Sequence, residues 1–335
     1  MNPSAVFTVR SKKDFENKAI EIFYLQADKN PVYKIYIEQL GINAKKVKHI
    51  SQIPFLPIEF FKSHKVVTSS IINHQPSTMF QSSGTTGIER SRHYVSDISH
   101  YEKSFRKGFE IFYGDIKQYS ILALLPSYYE NKNSSLIYMV MDLIKRSDNK
   151  YSAFYNLKDE NIAPTIQNLL QKKQKVMLFG VSFALLDFFP DIKKRSGDLI
   201  VLETGGMKGR KEEITRDELH KILCEKFGVK KIHSEYGMTE LLSQAYSNGN
   251  GIFKCPPWMK IFAREVNDPF QITGEELRMK NGFSGAINVI DLANINSCSF
   301  IATQDLGKVY RDGSFKVLGR MDNSDLRGCN LMIGN

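Results

Sequence analysis

Features that mark secreted, membrane-spanning or zinc-binding proteins are scarce in this sequence. Only four cysteines occur among 335 residues (Cys224, Cys255, Cys298 and Cys329), and none forms a Cys-x-x-Cys pair. Their spacing argues against a zinc knuckle or ribbon and favours free thiols in a reducing compartment. No apolar run approaches the roughly 18 residues of a membrane span, and the first residues lack the apolar stretch of a secretory signal. We therefore expect a cytoplasmic protein with no membrane span.

Repeats, low-complexity linkers and recognisable nucleic-acid motifs are also missing. The composition is instead that of a globular protein, with 42% apolar and 11% aromatic residues available to build a core. The net charge is +10, from 46 basic and 36 acidic residues. Such a surplus attracts polyanions such as nucleotides, coenzymes, acidic carrier proteins or nucleic acid. Because the basic residues are spread along the chain, we expect no nucleic-acid partner.

Helical and strand patterns alternate over the first 250 or so residues. Apolar side chains recur every three or four residues across 13–42 and again after Asp97, which predicts amphipathic helices. The pair Asn30-Pro31 should divide the first stretch into two helices. Short apolar strand candidates then alternate with helical stretches, at 119–125, 176–180 and 199–203. Alternation of this kind predicts a parallel sheet covered by helices, and hence an α/β fold.

After about residue 250 the pattern changes to one of strands. Strand candidates occur at 258–266, 286–291, 299–302 and 315–318, and Asp312-Gly313 is typical of a hairpin turn. We therefore expect one body over residues 1–320. It would be α/β to about residue 250 and mainly β over residues 251–320, with a tail over residues 321–335.

The strongest local motif is a run of small hydroxyl and glycine residues after Phe80-Gln81. Its members are Ser82, Ser83, Gly84, Thr85, Thr86 and Gly87. Small side chains, free backbone N–H groups and glycine flexibility suit a loop that binds a phosphate chain. The run is not a Walker A loop, because no Gly-Lys-Ser/Thr closes it. An ordinary polar turn is the alternative for this segment alone.

A second motif follows a predicted strand and combines an aromatic ring, a glycine, a hydroxyl and carboxylates. It contains Glu235, Tyr236, Gly237, Thr239 and Glu240. Tyr236 can stack on a purine, Thr239 can hydrogen-bond a phosphate, and Glu240 can bind Mg²⁺. A zinc-deaminase interpretation of His233-Ser234-Glu235 needs a Pro-Cys-x-x-Cys partner, which the chain does not supply.

Three shorter motifs are each weak evidence of function when taken alone. Their order along the chain is informative. They are Glu203-Thr204-Gly205-Gly206, Asp305-Leu306-Gly307 and Gly319-Arg320. With the two longer motifs, this order resembles the adenylate-forming superfamily of acyl-CoA synthetases and luciferases. The resemblance implies that the loop at 82–87 binds the ATP phosphates, that Asp305 binds the ribose, and that Arg320 lies at the hinge before a C-terminal lid.

Within that superfamily the chain looks most similar to LuxE-type acyl-protein synthetases, relatives of phenylacetate–CoA ligase. The features that indicate this are the N-terminal helices, the segment 53–63 and the ending Asn323–Leu331. The resemblance implies ATP and Mg²⁺ as cofactors and a carboxylic acid, a fatty acid in this family, as substrate. Glu235, Gly237, Gly205 and Gly206 would help to hold the adenosine.

Two departures from the superfamily pattern stand out. The phosphate loop usually continues to Pro-Lys, whereas here Gly87 is followed by a segment carrying Arg90 and Arg92. Full adenylating enzymes also carry a lid on the order of a hundred residues, within the range of small domains, and only residues 321–335 follow Arg320. We therefore expect the lid and its catalytic lysine to be absent.

The expected absence of a lid draws attention to Cys329. LuxE-type enzymes carry the acyl group on a cysteine near the C-terminus, and Cys329 occupies the matching position. The resemblance implies that its thiolate receives the acyl group, with Arg327 available to lower its pKa. The thioester would then pass to an acyl-protein reductase or an acyl carrier protein. The alternative is that Cys329 is an ordinary tail residue.

Two other functions stay open at this point. One is an acyl- or aryl-CoA ligase like phenylacetate–CoA ligase, using free coenzyme A in place of Cys329. The other is a non-catalytic homologue that binds an adenylate or acyl group. A motif set that includes Thr239, Glu240 and Asp305 argues against loss of function, since a disused phosphate site has no reason to keep it.

Overall fold

The computed structural model describes residues 3–69, 78–83, 90–126, 131–188, 198–205, 214–266 and 282–321. The chain divides into two compact units. We call residues 1–78, 91–97 and 257–335 the β unit, and residues 79–90 and 98–256 the α/β unit. Neither unit is a single continuous stretch of sequence.

The helices and strands of the described ranges are as follows. The α-helices are α1 (Lys12–Lys29), α2 (Pro31–Gln39), α3 (Phe60–Ser63), α4 (Ile98–Tyr113), α5 (Ser135–Ser147), α6 (Ile162–Gln171), α7 (Ser182–Asp187) and α8 (Arg216–Phe227). Short 3₁₀ helices occur at Pro3–Thr8, Ala44–Lys46, Ile50–Gln52, Ile116–Gln118 and Leu292–Asn294. The strands are β1 (Leu56–Pro57), β2 (Thr78–Gln81), β3 (Arg92–Val95), β4 (Tyr119–Leu124), β5 (Ala153–Phe154), β6 (Lys175–Val181), β7 (Leu199–Thr204), β8 (His233–Tyr236), β9 (Ala245–Ser247), β10 (Phe253–Lys254), β11 (Met259–Arg264), β12 (Phe283–Asp291), β13 (Phe300–Val309) and β14 (Phe315–Arg320).

The α/β unit is built on a sheet with the strand order β10-β9-β8-β7-β6-β4-β5. Strands β5, β4, β6, β7 and β8 run parallel to their neighbours, and β9 and β10 add antiparallel pairs. β4 is buried at every position, as expected of a parallel strand covered on both faces. The parallel, helix-covered sheet predicted from the sequence is therefore confirmed.

One apolar cluster of the α/β unit joins β4, β6 and β7 to helices α6, α7 and α8. Its members include Leu122, Ile166, Leu178, Val201, Leu223 and Phe227, all at most 2% exposed. Thr215 and Glu218 form a capping box at the start of α8, and the helix ends at Gly228 in a left-handed conformation. Packing and capping together hold the amino end of α8 beside the carboxyl end of β7, where Glu203 contacts Arg216.

The β unit carries an antiparallel sheet in the order β11-β12-β13-β14, with β1 parallel to β13. Each of its strands overlaps a strand predicted from the sequence, except the short β1. Arg264, which is 7% exposed, donates hydrogen bonds to the carbonyl oxygens of Ile287 and Thr303 and to Asn288 Oδ1, at 2.8–2.9 Å. These bonds brace the irregular register of β12 and β13 between Ala286 and Asn288.

Helix α1 joins the β unit through a buried glutamine. Gln26 is fully buried, and its amide nitrogen donates to the carbonyl oxygens of Asn294 and Ile295 at 3.0 and 2.9 Å. Its amide oxygen accepts the N–H of Ser299 at 3.0 Å. A buried amide satisfied in this way specifies one docking position for the helix.

The predicted helix break at Asn30-Pro31 is confirmed, and Asn30 explains it. The Asn30 side-chain oxygen caps α2 by accepting the N–H groups of Val32 and Tyr33 at 3.1 Å. Its Nδ2 donates to the carbonyl oxygen of Ser297 at 2.8 Å. Pro31 occupies the first turn of α2, where its missing N–H costs nothing.

Replacing Asn30 with alanine should destabilise the protein by about 2 kcal/mol, because one change removes a helix cap and leaves a buried carbonyl without a donor. Urea unfolding would measure the loss. Asn43→Ala is the matched control, since Asn43 also caps a helix (Lys45 N–H at 3.1 Å) but is exposed. We expect it to cost less than about 1 kcal/mol. Equal losses in the two variants would contradict a special role for Asn30.

Within the described residues, no helix combines the length and apolarity that crossing a bilayer requires.

Candidate active site

The carboxyl ends of β7 and β8 bring several predicted residues together. The two strands are parallel neighbours, with Thr204 opposite Glu235. Gly205 follows β7 directly, and Tyr236 is the last residue of β8. Ligands of open α/β sheets bind outside the carboxyl ends of such strands. The structure therefore places Gly205, Glu235 and Tyr236 where a nucleotide site of this fold class is expected.

Gly205 has a left-handed backbone conformation, with φ at 70°. Among the described residues, no heavy atom lies within 4 Å of where a Cβ atom would stand at this position. The glycine is therefore required by the backbone conformation and not by crowding, and its backbone is exposed. An exposed backbone turn without a side chain can accept a ligand at close range.

Glu235 is buried and has an internal partner. The hydroxyl of Thr204 donates a hydrogen bond to Glu235 Oε2, and a Cβ atom at Gly237 would collide with Glu235 Oε1. Burial raises the pKa of this carboxyl to about 7, against the lowering effect of the Thr204 hydrogen bond, and the charge of Glu203 raises it further. Glycine at position 237 thus leaves room for the Glu235 side chain. The predicted contact between Glu235 and a nucleotide stays a prediction.

This raised pKa predicts a pH dependence of stability. The folded protein keeps the Glu235 proton up to about pH 7, whereas the unfolded chain releases it near the ordinary value of 4.5. The contribution of Glu235 to stability therefore falls as the pH rises from about 4.5 to 7. Glu235→Gln should abolish this fall and gain up to about 3 kcal/mol over wild type at pH 8, with little difference at pH 5.

Urea midpoints at pH 5 and pH 8 would check that expectation. Glu218→Gln is the control, because Glu218 is exposed and its pKa is lowered by hydrogen bonds to the Thr215 side chain and backbone. It should gain no stability at pH 8. A Glu235→Gln variant that tracks wild type at both pH values would contradict the prediction.

The segment after β8 holds the predicted adenine and magnesium residues. Tyr236 is buried and packs edge to face on Phe253, with ring centroids 5.9 Å apart. Thr239 is half-buried and Glu240 is buried, in a turn where the Leu241 N–H donates to the Met238 carbonyl oxygen at 3.1 Å. Among the described residues, no three His, Cys, Asp or Glu side chains gather as a metal site. The predicted contact between Glu240 and magnesium stays a prediction.

A buried polar cluster next to Gly205 was not predicted from the sequence. Glu203 lies within hydrogen-bond distance of Arg216 Nη1 (2.5 Å), His220 Nε2 (3.4 Å) and the Ser182 hydroxyl (3.2 Å). Burial alone would raise the pKa of Glu203, but Arg216, together with hydrogen bonds from His220 and Ser234, holds it below its ordinary value. Glu203 is therefore ionised at neutral pH. The capping box marked the start of α8, but nothing in the sequence links Arg216 to Glu203.

In the β unit, Asp305 and Arg320 stand directly opposite each other on β13 and β14. The N–H of Asp305 donates to the Thr303 hydroxyl at 3.1 Å, and Arg320 Nη2 donates to Gln304 Oε1 at 3.3 Å. Residues opposite each other in an antiparallel pair share one face of the sheet. The structure thus brings together the predicted ribose-binding aspartate and the predicted hinge arginine, whose roles stay predictions.

The predicted phosphate loop is described only at its start. β2 ends at Gln81, whose N–H donates to the Asn133 carbonyl oxygen at 2.8 Å, and Ser82 and Ser83 follow. Arg90 and Arg92 are exposed. The other predicted site residues lie outside the described residues: Gly84, Thr85, Thr86, Gly87, Gly206 and Cys329.

Three of the four cysteines are described, and all three are free thiols. Cys298 is buried, which raises its pKa to about 12 against the lowering effect of a backbone hydrogen bond with Phe300. Burial, and then the charge of Glu225, raise the pKa of Cys224 as well. Thiols with raised pKa values are poor nucleophiles at neutral pH. Cys255 is half-buried.

Comparison with known proteins bears on what this arrangement does. The family described as "Acyl-protein synthetase, LuxE" matches residues 9–335. The chain is also 24% identical over 329 residues to the long-chain-fatty-acid–luciferin-component ligase of Vibrio harveyi, covering 91% of this chain and 83% of that protein. The family resemblance predicted from the motifs is confirmed.

A solved structure shares the fold. 2-Hydroxyisobutyryl-CoA ligase, in complex with 2-HIB-AMP in the postadenylation state, matches with a TM-score of 0.64 and 11% identity, over 93% of this chain and 68% of that one. This similarity confirms the predicted adenylate-forming fold class. ATP-bound MatB from Rhodopseudomonas palustris matches with a TM-score of 0.49 and 16% identity, over 72% of this chain. The chain spans about half the length of MatB (47%).

Proposed function

This chain belongs to the LuxE family of acyl-protein synthetases, and from that premise we propose that it uses Mg·ATP to activate a long-chain fatty acid and transfers the acyl group to Cys329. The family description and the name of the Vibrio relative both denote ligases, so the predicted ligase class is confirmed. The acid, the cysteine and the final acceptor belong to the proposal.

One observation carries this proposal. The family match runs from residue 9 to residue 335, so it spans all the residues from Ser82 to Cys329 to which the proposal gives a role. The chain also covers most of a relative named for long-chain fatty acids. The carboxyl ends of β7 and β8 support the proposal, because they present Gly205 and Tyr236 side by side.

The first proposed step makes the acid reactive. A fatty carboxylate cannot acylate a thiol directly, because its oxygen is a poor leaving group. Its oxygen attacks the α-phosphorus of ATP, pyrophosphate leaves, and the acid becomes an acyl-adenylate with AMP as a good leaving group. The loop at 82–87 binds the phosphates, Glu240 binds the magnesium of Mg·ATP, and Thr239 hydrogen-bonds a phosphate oxygen.

The adenosine must be held still during that attack. In the proposal Tyr236 stacks on the adenine, the backbone of Gly205 and Gly206 lies against the nucleoside, and Asp305 hydrogen-bonds the ribose hydroxyls. Holding both reactants in one geometry lowers the entropic part of the barrier. Arg320 precedes the tail that carries Cys329 and contacts the nucleotide from there.

The second proposed step moves the acyl group to sulfur. The Cys329 thiolate attacks the acyl carbonyl carbon, the bond from that carbon to the adenylate oxygen breaks, and AMP leaves. The raised pKa values of Cys224 and Cys298 make those thiols poor alternatives. The resulting thioester is reactive enough to pass the acyl group to a partner protein, either an acyl-protein reductase or an acyl carrier protein.

Acid-dependent exchange of labelled pyrophosphate into ATP would test the first step. The wild-type protein would be incubated with Mg·ATP and a panel of acids that includes octanoate, myristate, stearate and phenylacetate. We expect exchange with the long-chain acids and little with phenylacetate. No exchange with any acid would overturn the proposal and favour a homologue that binds without catalysis.

Measuring AMP release in the same reactions, with and without coenzyme A, distinguishes an acyl-protein synthetase from an acyl-CoA ligase. An acyl-protein synthetase should release AMP once per thiol without coenzyme A. AMP release that requires coenzyme A would favour an acyl-CoA ligase instead.

A further inference from the structure

The Glu203–Arg216 ion pair lies next to the proposed nucleotide site. The Glu203 side chain is 1% exposed and the Arg216 side chain 24% exposed, and Arg216 Nη1 lies 2.5 Å from Glu203 Oε1. An ion pair with a buried carboxylate contributes little net stability compared with apolar residues of the same volume, because the carboxylate loses its hydration and the guanidinium loses most of its own. The pair therefore calls for an explanation other than stability, and its contacts supply one.

One set of contacts leads from the pair to Gly205. The Ser182 hydroxyl, at the start of α7, lies 3.2 Å from Glu203 Oε2 and 2.9 Å from the Gly205 carbonyl oxygen. Ser182 is fully buried. The Glu203 and Gly205 oxygens are both acceptors, so the single Ser182 hydrogen is shared between them in a three-centre hydrogen bond. The left-handed turn at Gly205 and the carboxylate of Glu203 are therefore held by the same hydroxyl.

A second set of contacts leads from the pair to Tyr236. The Arg216 guanidinium lies over the Phe253 ring, 5.1 Å from its centroid. The Tyr236 ring packs against the same Phe253 ring, with the centroids 5.9 Å apart and the planes at 62°. Phe253 is fully buried. Because Arg216 and Tyr236 both pack on its ring, the position of Arg216 helps to fix the position of the Tyr236 ring.

A third contact reaches β8 just before Tyr236. His220 Nε2, on α8, lies 3.4 Å from Glu203 Oε1 and 3.2 Å from the Ser234 hydroxyl. The end of β7, the start of α8 and the end of β8 are thus joined at one carboxylate.

We propose that the Glu203–Arg216 pair is a positioning element for the nucleotide, which sets the Gly205 turn through Ser182 and the Tyr236 ring through Phe253. The inference rests on the proposed function, because it takes Gly205 and Tyr236 as the residues that contact adenosine. Neither charged side chain needs to touch the nucleotide. The pair acts by keeping both binding elements in one relative arrangement.

Two variants cut the contacts on either side and leave the pair intact. Ser182→Ala removes the hydroxyl that reaches Gly205, and Phe253→Leu removes the ring between Arg216 and Tyr236. Ser120→Ala is the matched control for the first, because Ser120 is fully buried and its hydroxyl has no hydrogen-bond partner among the described residues. Phe227→Leu is the control for the second, since Phe227 is 2% exposed in the same unit.

The readouts are the dissociation constant for AMP, the KM for Mg·ATP and the kcat of acid-dependent pyrophosphate exchange, with a urea midpoint for each protein. Losing one hydrogen bond or one aromatic contact should raise both the dissociation constant and the KM by about fivefold. We expect kcat to change by less than about twofold, since the reacting groups stay in place. The controls should lose similar stability and keep wild-type affinity for AMP.

Two results would overturn the inference, and they are distinguishable. If wild type binds AMP and exchanges pyrophosphate while the test variants behave like their controls, the pair has no positioning role. If wild type neither binds AMP nor exchanges pyrophosphate, the proposed function fails, and this inference fails with it.

Discussion

Cys329→Ser is expected to yield a protein that still forms acyl-adenylate but carries no thioester. Adenylation uses the nucleotide residues alone, so exchange of pyrophosphate into ATP should stay near the wild-type rate. Acyl transfer needs a thiolate, and a serine hydroxyl is a far weaker nucleophile near neutral pH. The expected loss of acylated protein is therefore complete.

Intact-protein mass after incubation with Mg·ATP and myristate measures this directly. Wild type should gain the mass of one acyl group and lose it on treatment with neutral hydroxylamine, which cleaves thioesters. Cys255→Ser is the control, because Cys255 is a half-buried free thiol in the described part of the chain. It should acylate like wild type. A mass gain that persists in Cys329→Ser and is lost in Cys255→Ser would show that Cys255 carries the acyl group. That result would contradict the proposal.

Arg216→Met is expected to cost about 3–5 kcal/mol of stability at pH 7, because it leaves the buried Glu203 carboxylate without its cation. The cost should shrink as the pH falls. In wild type the pKa of Glu203 is held low, so the pair contributes above the ordinary value of 4.5 and is lost below it. In the variant, burial favours the neutral carboxyl, so acid relieves the penalty.

Urea unfolding of wild type and Arg216→Met at pH 7 and pH 5 tests both the size and the direction of the effect. The double variant Glu203→Gln/Arg216→Met supplies the control. Removing both charges should recover much of the loss at pH 7, since no buried charge remains uncompensated. A double variant no more stable than Arg216→Met at pH 7 would contradict the prediction that the uncompensated carboxylate causes the loss.

Much of the local structure could be predicted because it depends on neighbours in sequence. Asn30 caps α2 through N–H groups two and three residues away, and Thr215 and Glu218 cap α8 in the same way. The strands β4, β6 and β7 were recognisable as short apolar runs between helices. The short strands β5 and β10 were not predicted from the sequence. Each has only two residues, and two residues are too few to show a periodic pattern.

The grouping of segments in space was not predictable from the order of the sequence. The expected boundary near residue 250 reflects a change from helices to strands along the chain. In the structure, α1 and α2 belong to the same unit as β11–β14, and Gln26 hydrogen-bonds residues more than 260 positions away. No periodicity identifies a partner at that distance. The domain limits predicted from the sequence stay a prediction.

The candidate site shows the same division. The order of the motifs was enough to identify the family, because residues that bind phosphate, adenine and ribose must be present as particular side chains. Two motif residues lie at neighbouring strand ends: Gly205 follows β7 and Tyr236 ends β8. The supporting residues Ser182, Arg216 and Phe253 have no such motif, since a hydroxyl, a guanidinium or a ring in these places is common in any protein.

The sequence by itself determined the chemistry available to this protein: its helix caps, its strand periodicities, its run of hydroxyl and glycine residues at 82–87 and the family to which the chain belongs. Only the tertiary structure decided which groups share a buried environment. Glu203 and Glu235 are both buried carboxyls at adjacent strand ends, yet the pKa of one is lowered and that of the other is raised to about 7. The difference arises because Arg216 compensates the charge on Glu203, whereas burial dominates at Glu235. A charge that has lost its water depends on the partners that folding places beside it.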